Sequence, residues 1–178
     1  SYSDSWVAHA GRYCRQMIDR FGLGPGSLAV EIASNDGYLL QHFVSAGVPV
    51  HGFEPAANVA AEARKADIPT NVEFFGEASA AAFAERVGRP DLLLGNNVLA
   101  HVPDINDFVA GMRRLLALGG VITMEFPHLQ RLIEENQFDT IYHEHFSYLS
   151  FGVVEKIFAA HGLTLFDVEE LPTHGGWL

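Results

Sequence analysis

Apolar residues recur along this chain in two alternating patterns. From Trp6 to Phe21 they fall at helical spacing and stop at Gly22 and the Gly24-Pro25-Gly26 breaker, which predicts a leading helix. Short continuous apolar runs then take turns with helical patterns. Strands are predicted at about 28–33, 49–53, 71–75, 91–95, 121–126 and 163–170. Helices are predicted over Gly37–Ala46, Ala56–Lys65, Ala80–Val87, Ile105–Leu116 and Phe151–His161. Asp91-Leu92-Leu93-Leu94-Gly95 lacks polar alternation, as a strand buried on both faces requires. Regular β-α alternation predicts an α/β fold, a doubly wound and mostly parallel sheet of the Rossmann-like kind. Pro172 to Gly176 reads as a turn that leaves no room for a seventh strand, so the final strand is expected to be cut short. Both ends of the sequence predict the central domain, 1–178, of a longer polypeptide.

The first strand ends in Glu31-Ile32-Ala33-Ser34-Asn35-Asp36-Gly37, an acidic residue and a small-residue turn leading into a helix. An open α/β sheet builds its nucleotide-type cofactor site at such a turn. The second strand ends at Glu54, 23 residues beyond Glu31, where a carboxylate can accept both hydroxyls of a ribose. A pyrophosphate needs the glycines of G-x-G-x-x-G for close backbone approach, and of these only Gly37 is present. Glu31 and Asp36 would repel it, which disfavours a nicotinamide-dependent oxidoreductase. A cofactor with a ribose, an adenine, an ammonium and a sulfonium but no phosphate fits better, so S-adenosylmethionine is the expected cofactor. An ordinary acidic strand-to-helix turn is the competing reading.

Composition narrows the class. The chain has 178 residues, 48% hydrophobic and 19% charged, enough for one globular domain with its own core. Cys14 is the single cysteine, so no disulfide framework or thiolate zinc site can form from these residues, and a reducing, cytoplasmic setting is expected. No apolar run reaches the length of a membrane span. A net charge of −11 opposes binding to a phosphate backbone, which excludes nucleic acid as the expected partner. A monomer acting on a small molecule is the expectation.

Six segments, in order along the chain, carry a specific resemblance: Ser1-Tyr2-Ser3-Asp4-Ser5-Trp6, the Glu31–Gly37 turn, Glu54-Pro55-Ala56-Ala57-Asn58-Val59-Ala60, Asn97-Val98-Leu99-Ala100-His101-Val102-Pro103-Asp104, Tyr142-His143-Glu144-His145-Phe146-Ser147-Tyr148-Leu149-Ser150 and Thr173-His174-Gly175-Gly176. Together they resemble the deoxysugar C-methyltransferases, enzymes that methylate C3 of nucleotide-linked 4-keto-6-deoxysugars in antibiotic biosynthesis. The resemblance implies a class I S-adenosylmethionine-dependent methyltransferase core, flanked in the family by an N-terminal zinc domain and a C-terminal sugar-nucleotide domain, neither within these residues. Trp177 departs from the family's serine. A small-molecule O- or N-methyltransferase, or a cofactor-binding fragment without activity of its own, are the rival readings.

Carbon methylation requires a base for a hydrogen beside the ketone and donors for the enolate oxygen. A histidine, with an ordinary pKa of about 6.5, suits the first role. By resemblance His145 is that base, with Tyr142 close to the reacting sugar and Asn97 and His101 holding substrate or cofactor near the transferred methyl. Glu144 could orient a histidine. Whether Tyr142 and His145 share a face depends on whether the stretch is helical or extended, which sequence leaves open. His143, Glu144 and His145 lack the helical H-E-x-x-H spacing, and no metal is expected. Expected cofactor contacts are Glu31, Ala33, Ser34, Asn35, Gly37 and Tyr38 around the turn, and Glu54 and Pro55 after the second strand. Gly76 and Glu77 follow the third strand and Asn96 and Asn97 the fourth. Tyr2 and Ser5, before the leading helix, could close over the cofactor.

Overall fold

The computed structural model describes residues 4–170, with side chains from residue 6 onward. Its elements run α1 (Asp4–Phe21), β1 (Ala29–Ile32), α2 (Leu40–Ser45), β2 (Val50–Phe53), α3 (Ala57–Lys65), β3 (Thr70–Asn71), α4 (Glu77–Arg86), β4 (Leu92–Asn96), α5 (Ile105–Leu115), β5 (Val121–Glu125), α6 (Leu129–Glu134) and α7 (Phe151–Ala160). Five strands form one sheet in the order β3-β2-β1-β4-β5, and every pairing is parallel. The expected doubly wound sheet is therefore present. Its strand order reverses between β1 and β4, where open α/β sheets build their sites.

Alternation along the strands assigns the two faces. Ala29, Leu92 and Leu94 pack with Ala10, Cys14 and Met17 of α1 and with Leu39, Leu40 and Phe43 at and in α2. Val30, Ile32 and Leu93 face the other way, against Ala80 and Phe83 of α4, Phe108, Val109, Met112 and Leu115 of α5, and Val154 and Phe158 of α7. Strands buried on both faces carry no polar alternation, which is why the Leu92-Leu93-Leu94 run is legible in the sequence. Asp104 caps α5, its carboxylate accepting from the N–H groups of Asn106 (3.1 Å) and Asp107 (3.0 Å).

Two strand expectations fail. The third strand is two residues long, Thr70–Asn71, and not 71–75. It pairs on one side only, with β2, and the last ladder bond runs from Glu54 N–H to the Asn71 carbonyl (2.9 Å). Pro55 follows, has no N–H to give, and the partner chain turns away. Val72, Glu73 and Phe74 are left exposed. The sixth strand, 163–170, does not form: its backbone makes no ladder with β5 among the described residues. That segment is tied by side chains, Arg20 to Asp167 (2.7 Å) and Arg131 to Glu170 (2.9 Å). A cavity of about 680 Å³ separates it from β5. A strand-like sequence without a backbone edge within reach has no ladder to join. The short helix α6 and the 3-10 turns at Leu99–His101 and Phe138–Thr140 have no counterpart among the expected elements. No helix among the described residues is long and apolar enough to cross a membrane.

Candidate active site

Two clusters of polar side chains sit at the carboxyl ends of the strands. The first is the turn after β1. Ala33 (φ 57°) and Asn35 (φ 51°) are left-handed there, and the chain is held by Ser34 N–H to the Phe53 carbonyl (3.0 Å) and Gly37 N–H to the Ser34 carbonyl (3.0 Å). Ser34 is fully buried against β2, where a Cβ at Gly52 would collide with its Oγ. Gly37 has φ 81°, and a Cβ on it would collide with Ile68, so this position admits only glycine. The small residues that mark the turn in the sequence are thus a packing requirement of the site.

Glu54 is the keystone of this cluster. One carboxylate oxygen accepts from Asn35 N–H (3.1 Å) and the other from Ala56 N–H (2.8 Å), joining the β1 turn to the start of α3. Both oxygens keep lone pairs for further donors. Glu31 is 1% exposed and one of its oxygens has no partner. Burial pushes its pKa well up, helped by the nearby Asp36 and Glu54 carboxylates. Such a group is short of a cation. Ribose hydroxyls at Glu54 and a positive charge near Glu31 are what S-adenosylmethionine offers, so the residues fit that cofactor. Tyr38 enters α2 with its N–H on Asp36 (3.3 Å) and its ring 6.5 Å from Trp6 of α1. Pro55 is half-buried beside Glu54. Glu77 is exposed at the first turn of α4, with its N–H on Asp107 (3.2 Å), and Gly76 packs against the same carboxylate. Tyr2 lies outside the described residues, as do the side chain of Ser5 and the final turn with Trp177.

The second cluster gathers Asn97, His101, Tyr142, Glu144 and His145 from separate parts of the chain. Asn97, just past β4, takes φ 53° and donates its N–H to the Glu125 carbonyl (2.7 Å); its buried side-chain oxygen has no partner. The loop 141–149 folds back on the 3-10 turn after β4 through Phe146 N–H (2.9 Å) and Ser147 N–H (3.2 Å) to the Ala100 carbonyl. It is neither helix nor strand. A tight turn from His145 N–H to the Tyr142 carbonyl (3.1 Å) brings residues 142 and 145 to one side. Their rings stand 4.4 Å apart, and the His101 and His145 rings meet edge to face at 4.7 Å.

Electrostatics sort the roles. The His145 Nδ1 lies 2.8 Å from the Thr140 carbonyl, which can only accept, so Nδ1 carries the proton and Nε2 presents a lone pair. Burial, then the neighbouring His145, pushes the His101 pKa down, and its buried Nε2 has no partner. Burial, followed by the charge of Glu144 and the Tyr148 ring, pushes the Tyr142 pKa up, so its hydroxyl keeps its proton and can donate. The described residues contain no group of three or more His, Cys, Asp or Glu placed to hold a metal.

Several residues at these clusters are not among those expected from the sequence. Glu125 ends a strand run just as Glu31 and Glu54 do, and that same signal could have singled it out. His9, Thr140 and Trp6 carry no local signal; only the fold brings them to the strand ends.

This sheet, with a carboxylate at each of the first two strand ends, fits the fold of an S-adenosylmethionine-dependent methyltransferase domain. The methyltransferase-domain family model matches residues 6–168, and the chain belongs to that family. It is 39% identical over 176 residues to the C-methyltransferase NovU of Streptomyces niveus, covering 99% of this chain and 42% of that protein. The chain thus spans less than half the length of this curated relative. Among solved structures, the magnesium protoporphyrin IX methyltransferase of Synechocystis, with S-adenosylhomocysteine bound, superposes with a TM-score of 0.72 at 13% identity, over 96% of this chain and 79% of that one. The sugar N-methyltransferase KedS8 of Streptoalloteichus gives 0.54 at 21% identity, over 68% and 49%. Both likenesses are of fold.

Proposed function

We propose that the protein is a C-methyltransferase acting at C3 of a nucleotide-linked 4-keto-6-deoxysugar, with His145 as the base. The observation that carries this reading is the His145 tautomer: Nδ1 donates to Thr140, which leaves Nε2 free to accept a proton beside Tyr142 and His101. The name of the 39%-identical relative and the ordered motif resemblance support it. Bound S-adenosylmethionine supplies an activated methyl on a sulfonium.

His145 Nε2 takes the C3 proton alpha to the ketone, and the C–H electron pair becomes the enolate. The Tyr142 hydroxyl, kept protonated, and Asn97 would organise the enolate oxygen. The cofactor would supply the methyl to C3 with loss of its sulfur–methyl bond, leaving S-adenosylhomocysteine, and the imidazolium releases its proton to water. His101, held neutral, adds no charge to oppose protonation of its neighbour. Glu54 would hold the ribose of the cofactor, and the Glu31 turn would lie beside its sulfonium. In-line alignment is the larger part of the rate.

Incubating the full-length protein with a nucleotide-linked 4-keto-6-deoxysugar and S-adenosylhomocysteine in deuterium oxide tests the step. His145-dependent exchange of the C3 hydrogen is the expected result. O- or N-methylation needs no such exchange, and its absence with a turned-over substrate would overturn the enolate mechanism.

A further inference from the structure

We infer that Glu125 is a further cofactor-contacting residue, its free oxygen accepting the ammonium of the methionyl group while His9 holds the other oxygen. The inference rests on S-adenosylmethionine being the cofactor. Register and alternation place the residue. Glu31 is paired with Leu94, Leu94 with Thr123, and Asn96 with Glu125. Leu92 and Leu94 pack towards α1, so Glu31, Asn96 and Glu125 all face that helix. Two contacts fix the orientation of β5: Tyr13 Oη to Thr123 Oγ1 (2.5 Å) and His9 Nε2 to Glu125 Oε2 (3.2 Å).

Glu125 is 6% exposed, and its Oε1 has no partner. A buried carboxylate with one satisfied oxygen is an unfinished arrangement, because desolvation is offset only by paired donors or charge. Glu31 leaves an oxygen unpartnered in the same way on β1, two strands away. Asn96 lies between them on β4, and His9, Asn96 and Glu125 line one cavity. Glu125 therefore gives this cavity, under α1, an incompletely paired carboxylate whose chemistry calls for a compact cation with several N–H donors. A primary ammonium has three. Glu31 shares its surroundings with Asp36 and Glu54, towards the ribose. Glu125 lies on the other side of Asn96, and its backbone carbonyl holds Asn97 at the site of transfer. The amino-acid end of the cofactor therefore belongs to Glu125.

Calorimetric titration of the full-length protein with S-adenosylhomocysteine and with 5′-methylthioadenosine separates this role from a structural one. The second probe keeps the adenosine and the thioether but has no amino acid. Glu125→Gln keeps the shape and an oxygen for His9. Its affinity for S-adenosylhomocysteine is expected to fall about tenfold or more, the loss of a charge-assisted hydrogen bond. Affinity for 5′-methylthioadenosine should stay at the wild-type value. Equal losses for both probes, or no loss for either, overturn the inference. If Glu125→Gln does not fold, His9→Asn carries the same comparison, with selective weakening of S-adenosylhomocysteine expected and parallel weakening overturning it. Wild-type protein that binds neither probe overturns the cofactor assignment itself, a result distinct from a silent variant.

Discussion

Replacing Glu54 with Gln separates the two jobs this carboxylate does. In the free protein its oxygens accept from Asn35 N–H at 3.1 Å and Ala56 N–H at 2.8 Å. Gln offers one oxygen and one NH₂, so one of those two N–H groups faces another donor. A donor left unsatisfied at a 7%-exposed side chain costs about 1–3 kcal/mol. Each kcal/mol lowers Tm by about 2–4 °C in a chain of this size. Cofactor binding loses more. A carboxylate accepting two ribose hydroxyls makes two charge-assisted bonds of about 1.5–3 kcal/mol each, and Gln keeps one of them as a neutral bond. The net loss is about 2–4 kcal/mol, or about 30- to 1,000-fold in Kd. Calorimetry with S-adenosylhomocysteine reads the affinity, and a thermal melt of the free variant reads the stability. A folded Glu54→Gln protein that binds within threefold of wild type, a change of about 0.7 kcal/mol, would refute the ribose assignment.

Glu31→Gln should act in the opposite sense on stability. The wild-type carboxyl has its pKa raised, chiefly by burial, so its share of stability is whole at acid pH and is lost as pH rises through the raised value. The variant should therefore melt higher than wild type at pH 8 without cofactor; a lower Tm would contradict the burial argument. His101, whose pKa is lowered by burial and by His145, favours its neutral form in the folded protein. Its contribution is whole above about pH 6.5 and falls away as pH drops through the lowered value. Urea midpoints between pH 7.5 and 5 should decline less steeply in His101→Gln than in wild type, with His51, also lowered by burial, accounting for part of the remaining slope. His145→Ala should reduce kcat by about 10²–10⁴-fold, the worth of a positioned base, with cofactor affinity unchanged; near-normal turnover would remove His145 from that role.

The parts of the site that lie within one strand-turn-helix unit are legible in the sequence. Glu31, Asn35 and Gly37 follow a buried strand directly, and Glu54 ends the next, so local pattern places them where the sheet needs them. The 142–145 geometry is not legible, because neither helical nor extended spacing describes it. A tight turn closed by His145 N–H on the Tyr142 carbonyl decides it, and the residues just after it are anchored on the Ala100 carbonyl, more than forty residues away. The 163–170 segment shows the limit from the other side. Its apolar residues read as a strand, yet strand formation is a property of two edges, and the segment has no β5 edge within hydrogen-bonding reach.

By itself the sequence determined the alternation of strands and helices, and with it the parallel sheet, because burial on both faces writes itself into continuous apolar runs. It also determined the carboxylate at the end of each of the first two strands. Tertiary structure alone decided which polar atoms meet: His101 with His145, His9 with Glu125, Thr140 with the imidazole it orients. Those contacts span distances along the chain that no local period encodes, and their energies depend on burial that exists only once the sheet and its helices have closed around them.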